Sequence, residues 1–328
     1  MALVDNLNRR IDYLRVSVTD RCNLRCKYCM PACGITNKPH DELLSFEEID
    51  KIVRIGVSLG IDKVRLTGGE PLVRKDIVAL VEILARIEGL KDISMTTNGI
   101  LLKDRIWQLK KAGLKRLNIS LDTLKEDRYR DITRGGELKE VREAIRLSLE
   151  AGLQPLKINT LLLAGINDDE IIDFLRLTRD LPIHVRFLEF MPTRDNEFWG
   201  MGEKFMSYKE VMDSSRRLGP VEAVDIYGNG PAKVLRIRDA KGTFGFIAPM
   251  SERFCSSCNR LRLTSDGFLK GCLHSELKIN LRDPIRRGMS EEGIIQLINL
   301  AVSTKSKGHS LRENPISSSE YLMCQIGG

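Results

Sequence analysis

From Ile11 to about Glu189, two kinds of apolar pattern take turns along the chain. Short runs that stay apolar or alternate read as buried strands, and longer runs with apolar positions three and four apart read as amphipathic helices. This pattern predicts strands over 11–18, 62–67, 92–97, 115–120, 156–162 and 184–190. One helix opens at the capping box Ser45-Phe46-Glu47-Glu48, keeps Ile49, Ile52, Val53, Gly56 and Val57 on its buried side, and stops at Gly60. A second buries Ile77, Leu80, Val81 and Leu84, and others fall near 102–112, 138–151 and 169–180. Strand and helix recurring at roughly thirty-residue spacing are the mark of βα units around a parallel sheet. Six units predict an α/β fold, an incomplete (β/α)6 TIM-like barrel, since a closed one takes eight.

Chemistry in such sheets gathers at the carboxyl ends of the strands. A cysteine-rich loop follows the first strand, Gly68-Gly69-Glu70-Pro71 the second, Thr97-Asn98-Gly99 the third and Ser120-Leu121-Asp122 the fourth. All four are predicted to converge on one mouth. After Pro192 the rhythm stops in a polar stretch over 193–202. Asn229-Gly230-Pro231 marks a turn, short strands are predicted over 234–237 and 244–247, and a helix over 290–301. This divides the chain into a barrel core over 1–225 and a smaller α+β region over 226–328.

Among 328 residues, 52 Lys and Arg outweigh 45 Asp and Glu, a net charge of +7. That excess suits an anionic substrate or a nucleic acid and decides neither. No opening apolar run resembles a signal peptide, and nothing approaches the ~20 apolar residues of a membrane span. Eight cysteines in that setting point to reduced thiols and metal rather than disulfides. A cytoplasmic protein without a membrane partner is the expectation.

Cys22, Cys26 and Cys29 are separated by three and then two residues. A structural zinc prefers four protein ligands, whereas three thiolates on a [4Fe–4S] cube leave one iron open to a small molecule. A second trio, Cys255, Cys258 and Cys272, has His274 close by, so a Cys3His zinc site and an iron–sulfur cluster both fit its spacing. Arg260 and Arg262 flank Leu261, as Lys63 and Arg65 flank Val64. In an extended strand each pair shares one face, and four converging cations suit a polyphosphate. Cys33 and Cys324 fit neither trio and read as spare thiols.

The spacing of the first trio, paired with Gly-Gly-Glu-Pro, resembles the radical S-adenosylmethionine enzymes. Ala248-Pro249-Met250-Ser251, Phe254-Cys255, the run Cys258 to Leu263, Asp266-Gly267, Cys272-Leu273 and the closing Gly327-Gly328 narrow the resemblance to the GTP 3′,8-cyclase (MoaA) family of molybdenum-cofactor biosynthesis, over nearly the whole chain. The resemblance implies two [4Fe–4S] clusters, one on Cys22, Cys26 and Cys29 and one on Cys255, Cys258 and Cys272, the second cluster lying in the smaller region. It places Tyr28, Gly69, Ser120 and Met191 against S-adenosylmethionine. It places Arg15, Arg65, Thr96, Lys157 and the run Arg260, Leu261, Arg262 against GTP, to which the alternation adds Lys63. Gly327 and Gly328 would reach into the catalytic site beside Arg15. The partners implied are GTP, MoaC as the enzyme taking the product, a low-potential donor such as flavodoxin or ferredoxin, and a second copy in a homodimer, with no nucleic acid. A two-cluster enzyme that modifies a peptide and a basic zinc protein that binds nucleic acid are the competing readings. The first predicts more carboxyl-terminal cysteines, and the second a colourless protein with salt-sensitive binding.

Overall fold

The structure, a computed structural model, describes residues 2–191, 205–224, 232–308 and 321–326. The predicted polar stretch over 193–202, the turn at Asn229-Gly230-Pro231, the boundary at 225/226 and Gly327 and Gly328 lie outside the described residues.

Six parallel strands form the centre: β1 (Tyr13–Ser17), β2 (Lys63–Thr67), β3 (Asp92–Thr97), β4 (Arg116–Ser120), β5 (Leu156–Leu162) and β6 (Ile183–Glu189). Helices α1 (Phe46–Ser58), α2 (Ile77–Ala85), α3 (Ile106–Lys111), α4 (Glu126–Thr133), α5 (Leu138–Glu150) and α6 (Ile171–Asp180) occupy the crossovers. Parallel strands require such crossovers. Their buried stripes (Ile49, Ile52 and Val53 on α1; Phe174 and Leu175 on α6) join one continuous core with the outward side chains of the strands. The capping box closes as the sequence predicts: Ser45 Oγ accepts from Glu48 N at 3.2 Å and Glu48 Oε2 accepts from Ser45 N at 2.7 Å.

The remaining strands extend this sheet instead of forming another. After α7 (Tyr208–Arg216) come β7 (Val221–Ala223), β8 (Lys233–Ile237) and β9 (Thr243–Ile247), then β10 (Arg260–Leu263), β11 (Phe268–Lys270) and β12 (Ile279–Asn280). Helices α8 (Arg282–Arg286), α9 (Glu291–Ser303) and α10 (Met323–Ile326) complete the described elements. β9 pairs parallel to β6 and β10 parallel to β1, so the later part of the chain adds one parallel strand to each edge of the six. The order is β12-β11-β10-β1-β2-β3-β4-β5-β6-β9-β8-β7, an open, parallel-rich α/β sheet. The segment 248–259 links its two outermost parallel strands, leaving the carboxyl end of β9 and entering the amino end of β10.

Candidate active site

The alternation along each parallel strand sorts its side chains into two populations. Leu14, Val16, Val64, Leu66, Leu117 and Ile119 face the helices and are fully buried. Their neighbours face the interior and are polar. Arg15 stands opposite Arg65 on one side and Arg262 on the other, Asn118 opposite Lys157, and Asn159 opposite Arg186. Arg65 Nε donates to Ser94 Oγ at 3.1 Å, and its guanidinium lies 5.5 Å from the Tyr13 ring centroid. With its amide oxygen turned toward them, Asn118 accepts from Arg65 and, at 2.7 Å, from Arg186, which also donates to Asn159 Oδ1 at 2.5 Å. Burial and the neighbouring arginines pull Lys157 down to about 6, Arg186 to about 9 and Arg262 to about 10, and hold Arg15 well below its ordinary range. So many cations in a water-poor interior call for a polyanion.

The first cysteine trio sits just beyond the carboxyl end of β1. Its loop is pinned to α4, with Arg25 N donating to Thr133 O at 3.1 Å and Lys27 N to Ile132 O at 3.0 Å. From beneath it is held by β2, where Gly69 N donates to Thr19 O at 2.8 Å and Glu70 N to Arg21 O at 2.9 Å. A Cβ on Gly69 would lie 2.4 Å from Arg21 O, and one on Gly68 (φ +151°) 2.5 Å from Thr19 O. The close approach that demands glycine is therefore, in this structure, to the cysteine loop itself. Glu70 ties the ends of two strands together, accepting from Leu72 N at 3.1 Å, Thr97 Oγ1 at 2.7 Å and Asn98 N at 2.7 Å. Burial pushes its carboxyl up to about 7 against those bonds. Tyr28 Oη donates to Asp122 Oδ2 at 2.6 Å, and Asp122 Oδ1 accepts from Leu161 N at 2.8 Å.

Burial raises the Cys22 thiol to about 11 and holds Cys26 and Cys29 higher still. Three half-buried thiols on one cavity wall that resist ionising alone become thiolates when an iron–sulfur core supplies the positive charge. The donor set thus fits such a core.

The second trio brackets the amino end of β10 and the carboxyl end of β11. Because β10 runs parallel to β1, this trio lies at the opposite end of the strands from the first, with a strand about 16 Å long between them for five residues at strand rise. Burial alone would raise the Cys258 thiol, but Arg260 and Lys305 outweigh it and bring it down to about 7. Three free cysteines in a cationic surround also fit a cluster. Among the described residues, no group of three or more His, Cys, Asp or Glu side chains is set to hold a single metal ion.

A cavity of about 300 Å³ runs between the two ends. Its wall includes Arg15, Cys22, Cys26, Tyr28, Cys29, Gly69, Thr96, Ser120, Met191, Arg260 and Arg262, with Phe254 and Leu273 next to Cys255 and Cys272. The Thr96 hydroxyl in this wall is buried with no hydrogen-bond partner among the described residues. Arg65 and Lys157 are buried in the same interior without forming the wall.

Two expectations need correction. Lys63 is not a cavity cation: it sits at the amino end of β2, where Asp12 and Asp62 take its ammonium at 3.0 and 2.9 Å. Leu261 points its side chain away from the cavity into the core, since it alternates with Arg260 and Arg262. The two thiols outside the trios differ in setting: Cys324 is buried in the cavity wall beside Met323 and close enough to raise the Cys29 thiol, whereas Cys33 is exposed. Arg186 and Glu189 escaped the sequence reading, and Asp122 entered it only as part of the strand-end run Ser120-Leu121-Asp122. For Arg186 the signal was present in its alternation with Val185 and Phe187, the same as that of Arg65.

An α/β sheet with a three-cysteine loop after its first strand defines the radical S-adenosylmethionine class. The model described as "Radical SAM superfamily" matches residues 16–178, and that described as "Molybdenum Cofactor Synthesis C" matches 183–311. Streptococcus suis SuiB bound to S-adenosylmethionine shares the fold, with a TM-score of 0.60 at 16% identity over 88% of this chain and 69% of that one. At full length the similarity is much stronger. The GTP 3′,8-cyclase of Clostridium botulinum (strain Hall) is 48% identical over 99% of this chain and 100% of its own length. Those of Pelotomaculum thermopropionicum and Moorella thermoacetica are 49% and 48% identical, each over 99% of both chains. The chain belongs to the GTP 3′,8-cyclase family.

Proposed function

We propose that this chain converts GTP to (8S)-3′,8-cyclo-7,8-dihydroguanosine 5′-triphosphate, the first step of molybdenum-cofactor biosynthesis, with one [4Fe–4S] cluster on each cysteine trio. The observation that carries this reading is a single cavity with Cys22, Cys26 and Cys29 in its wall at one end and Arg260 and Arg262 toward the other. Held by Cys22, Cys26 and Cys29, the first cluster would supply the electron for reductive cleavage of S-adenosylmethionine to methionine and a 5′-deoxyadenosyl radical able to take hydrogen from C3′ of the ribose.

The protein's own work is placement. Tyr28, Gly69, Ser120 and Met191 hold S-adenosylmethionine against the first trio. Arg15, Arg260 and Arg262 in the cavity wall meet the triphosphate, and Arg65, Lys157 and Arg186 buried behind it add to the positive field that neutralises it. Thr96, with its buried hydroxyl, offers the nucleotide a hydrogen bond. Cys255, Cys258 and Cys272 would hold the second cluster, which would bind the purine end of the nucleotide while the cavity sets C8 against C3′. α10 brings Met323 and Cys324 to the cavity, and Gly327 and Gly328 are assigned a part in the reaction together with Arg15. Product passes to MoaC, a low-potential flavodoxin or ferredoxin supplies electrons, and the enzyme works in the cytoplasm as a homodimer.

The test is anaerobic incubation of reconstituted protein, carrying about eight irons, with reductant, S-adenosylmethionine and GTP. Cyclised nucleotide should form in step with 5′-deoxyadenosine. Cleavage of S-adenosylmethionine that GTP never diverts into product would favour a peptide substrate instead.

A further inference from the structure

Behind the second trio lies a buried ammonium with no task in the reaction as described. Lys305, just past the end of α9, is 7% exposed. Its Nζ donates to Cys258 Sγ at 3.5 Å, to Arg260 O at 2.9 Å and to Gly271 O. Those acceptors are a cysteine of the trio, the residue two positions beyond it and the residue just before Cys272. The Lys305 carbonyl in turn accepts from Arg9 Nη2 at 3.3 Å, while Arg9 Nη1 donates to Cys255 O at 2.8 Å. Arg9 also donates to Ser306 O at 2.9 Å and is anchored by Asp5 at 2.5 Å. All three cysteine segments are thus tied to one Lys305–Arg9 pair.

Burying an ammonium is costly unless an anion compensates. Two carbonyls satisfy donors but carry no charge. The group within hydrogen-bond reach that becomes anionic on binding metal is the Cys258 sulfur.

We propose that Lys305 is the positioning residue and counter-cation of the second cluster, donating an N–H···S bond to the Cys258 thiolate. Three thiolates on a doubly positive [4Fe–4S] core leave one net negative charge, which one ammonium cancels. Hydrogen bonds to ligand sulfurs and the net charge around a cluster set how readily it is reduced, and such outer contacts are worth roughly 10–100-fold in metal affinity. The inference rests on the second cluster of the function proposed above.

The experiment separates the two ideas. Full-length protein with Cys22, Cys26 and Cys29 all changed to Ala carries the second trio alone. It is reconstituted, its iron counted, and its reduction midpoint measured by electron paramagnetic resonance. In this background K305M should lose iron to a chelator at least tenfold faster, and its reduced-to-oxidised ratio at fixed potential should fall about tenfold, a shift of about 59 mV for one electron. K305R, which keeps the charge and a donor, should restore most of both. If the background itself takes up no four-iron cluster, the second-cluster reading fails and the Lys305 role with it. If the background loads normally and K305M matches it in retention and midpoint, the Lys305 proposal alone is overturned. Should K305M not fold, judged by circular dichroism, K305Q against K305R is read by the same two criteria.

Discussion

Lys157 is pulled far from its ordinary ionisation, down to about 6, by burial and by Arg186, Arg116 and Arg65. Between that value and the ~10.4 of an unfolded lysine, the unfolded chain binds more protons than the folded one. Stability therefore rises with pH across this window, and the cost of burying Lys157 grows as pH falls toward 6. K157M should raise the melting temperature near pH 7, with the gain over the parent shrinking as pH approaches 10. Triphosphate beside the amine restores its charge, so GTP binding near pH 7.5 should take up close to one proton. Calorimetry in buffers of different ionisation enthalpy measures this, and K157M should abolish the uptake. A binding heat independent of buffer would mean that the phosphates lie elsewhere. The residue scale also shows what a sequence leaves legible. Arg65 and Arg186 advertise themselves by alternating with apolar neighbours, but the same alternation at Lys63 says nothing of Asp12 and Asp62, which arrive from adjacent segments to take its charge.

Among the elements, the loop after β1 is the most tightly specified, because backbone holds it on two sides. G69A would drive a methyl group into Arg21 O, 2.4 Å away, and backbone cannot yield as a flexible side chain does. The variant should retain about four of about eight irons and cleave S-adenosylmethionine at least tenfold more slowly. Full iron content with normal cleavage would show that the loop tolerates the shift. By contrast S45A touches only stability. It removes the cap of α1, whose partner Glu48 is also held by Arg286 at 2.6 Å, and should cost about 1 kcal/mol in denaturant unfolding with little effect on turnover. Cap and buried stripe are local, which is why α1 could be read from sequence. α4 could not, since Glu126–Thr133 is mostly polar and buries only Tyr129, Ile132 and Thr133. Its place comes from holding the cysteine loop, a contact no periodicity records.

Across the whole molecule, the two trios are related through the sheet. Six strands predicted from βα rhythm form its centre, but the strands that flank them, β9 and β10, come from the part of the chain where that rhythm has ended. Which edges they would join was not legible, because short strands carry their pairing in their partners. The segment between them, 248–259, carries Phe254, Cys255 and Cys258 from one edge of the sheet to the other. Its anchor is Glu189 at the carboxyl end of β6. This carboxylate, 3% exposed, accepts from Met250 N at 3.0 Å, Ser251 N at 2.9 Å and the Ser251 hydroxyl. In E189A two part-buried amides lose the Glu189 acceptor, a cost of about 1 kcal/mol that falls on the arm bearing the second trio. The cysteine loop after β1 makes no hydrogen bond to Glu189 among the described residues, so cleavage of S-adenosylmethionine without GTP should stay within about twofold of the parent. Cyclised product per cleavage should fall about tenfold, since ~1.4 kcal/mol of lost positioning is a factor of ten in rate. E189Q, which keeps an acceptor for the amides, should recover most of it. Equal losses of cleavage and cyclisation would instead show that Glu189 supports the barrel as a whole, and that the arm does not position the nucleotide independently of the radical source.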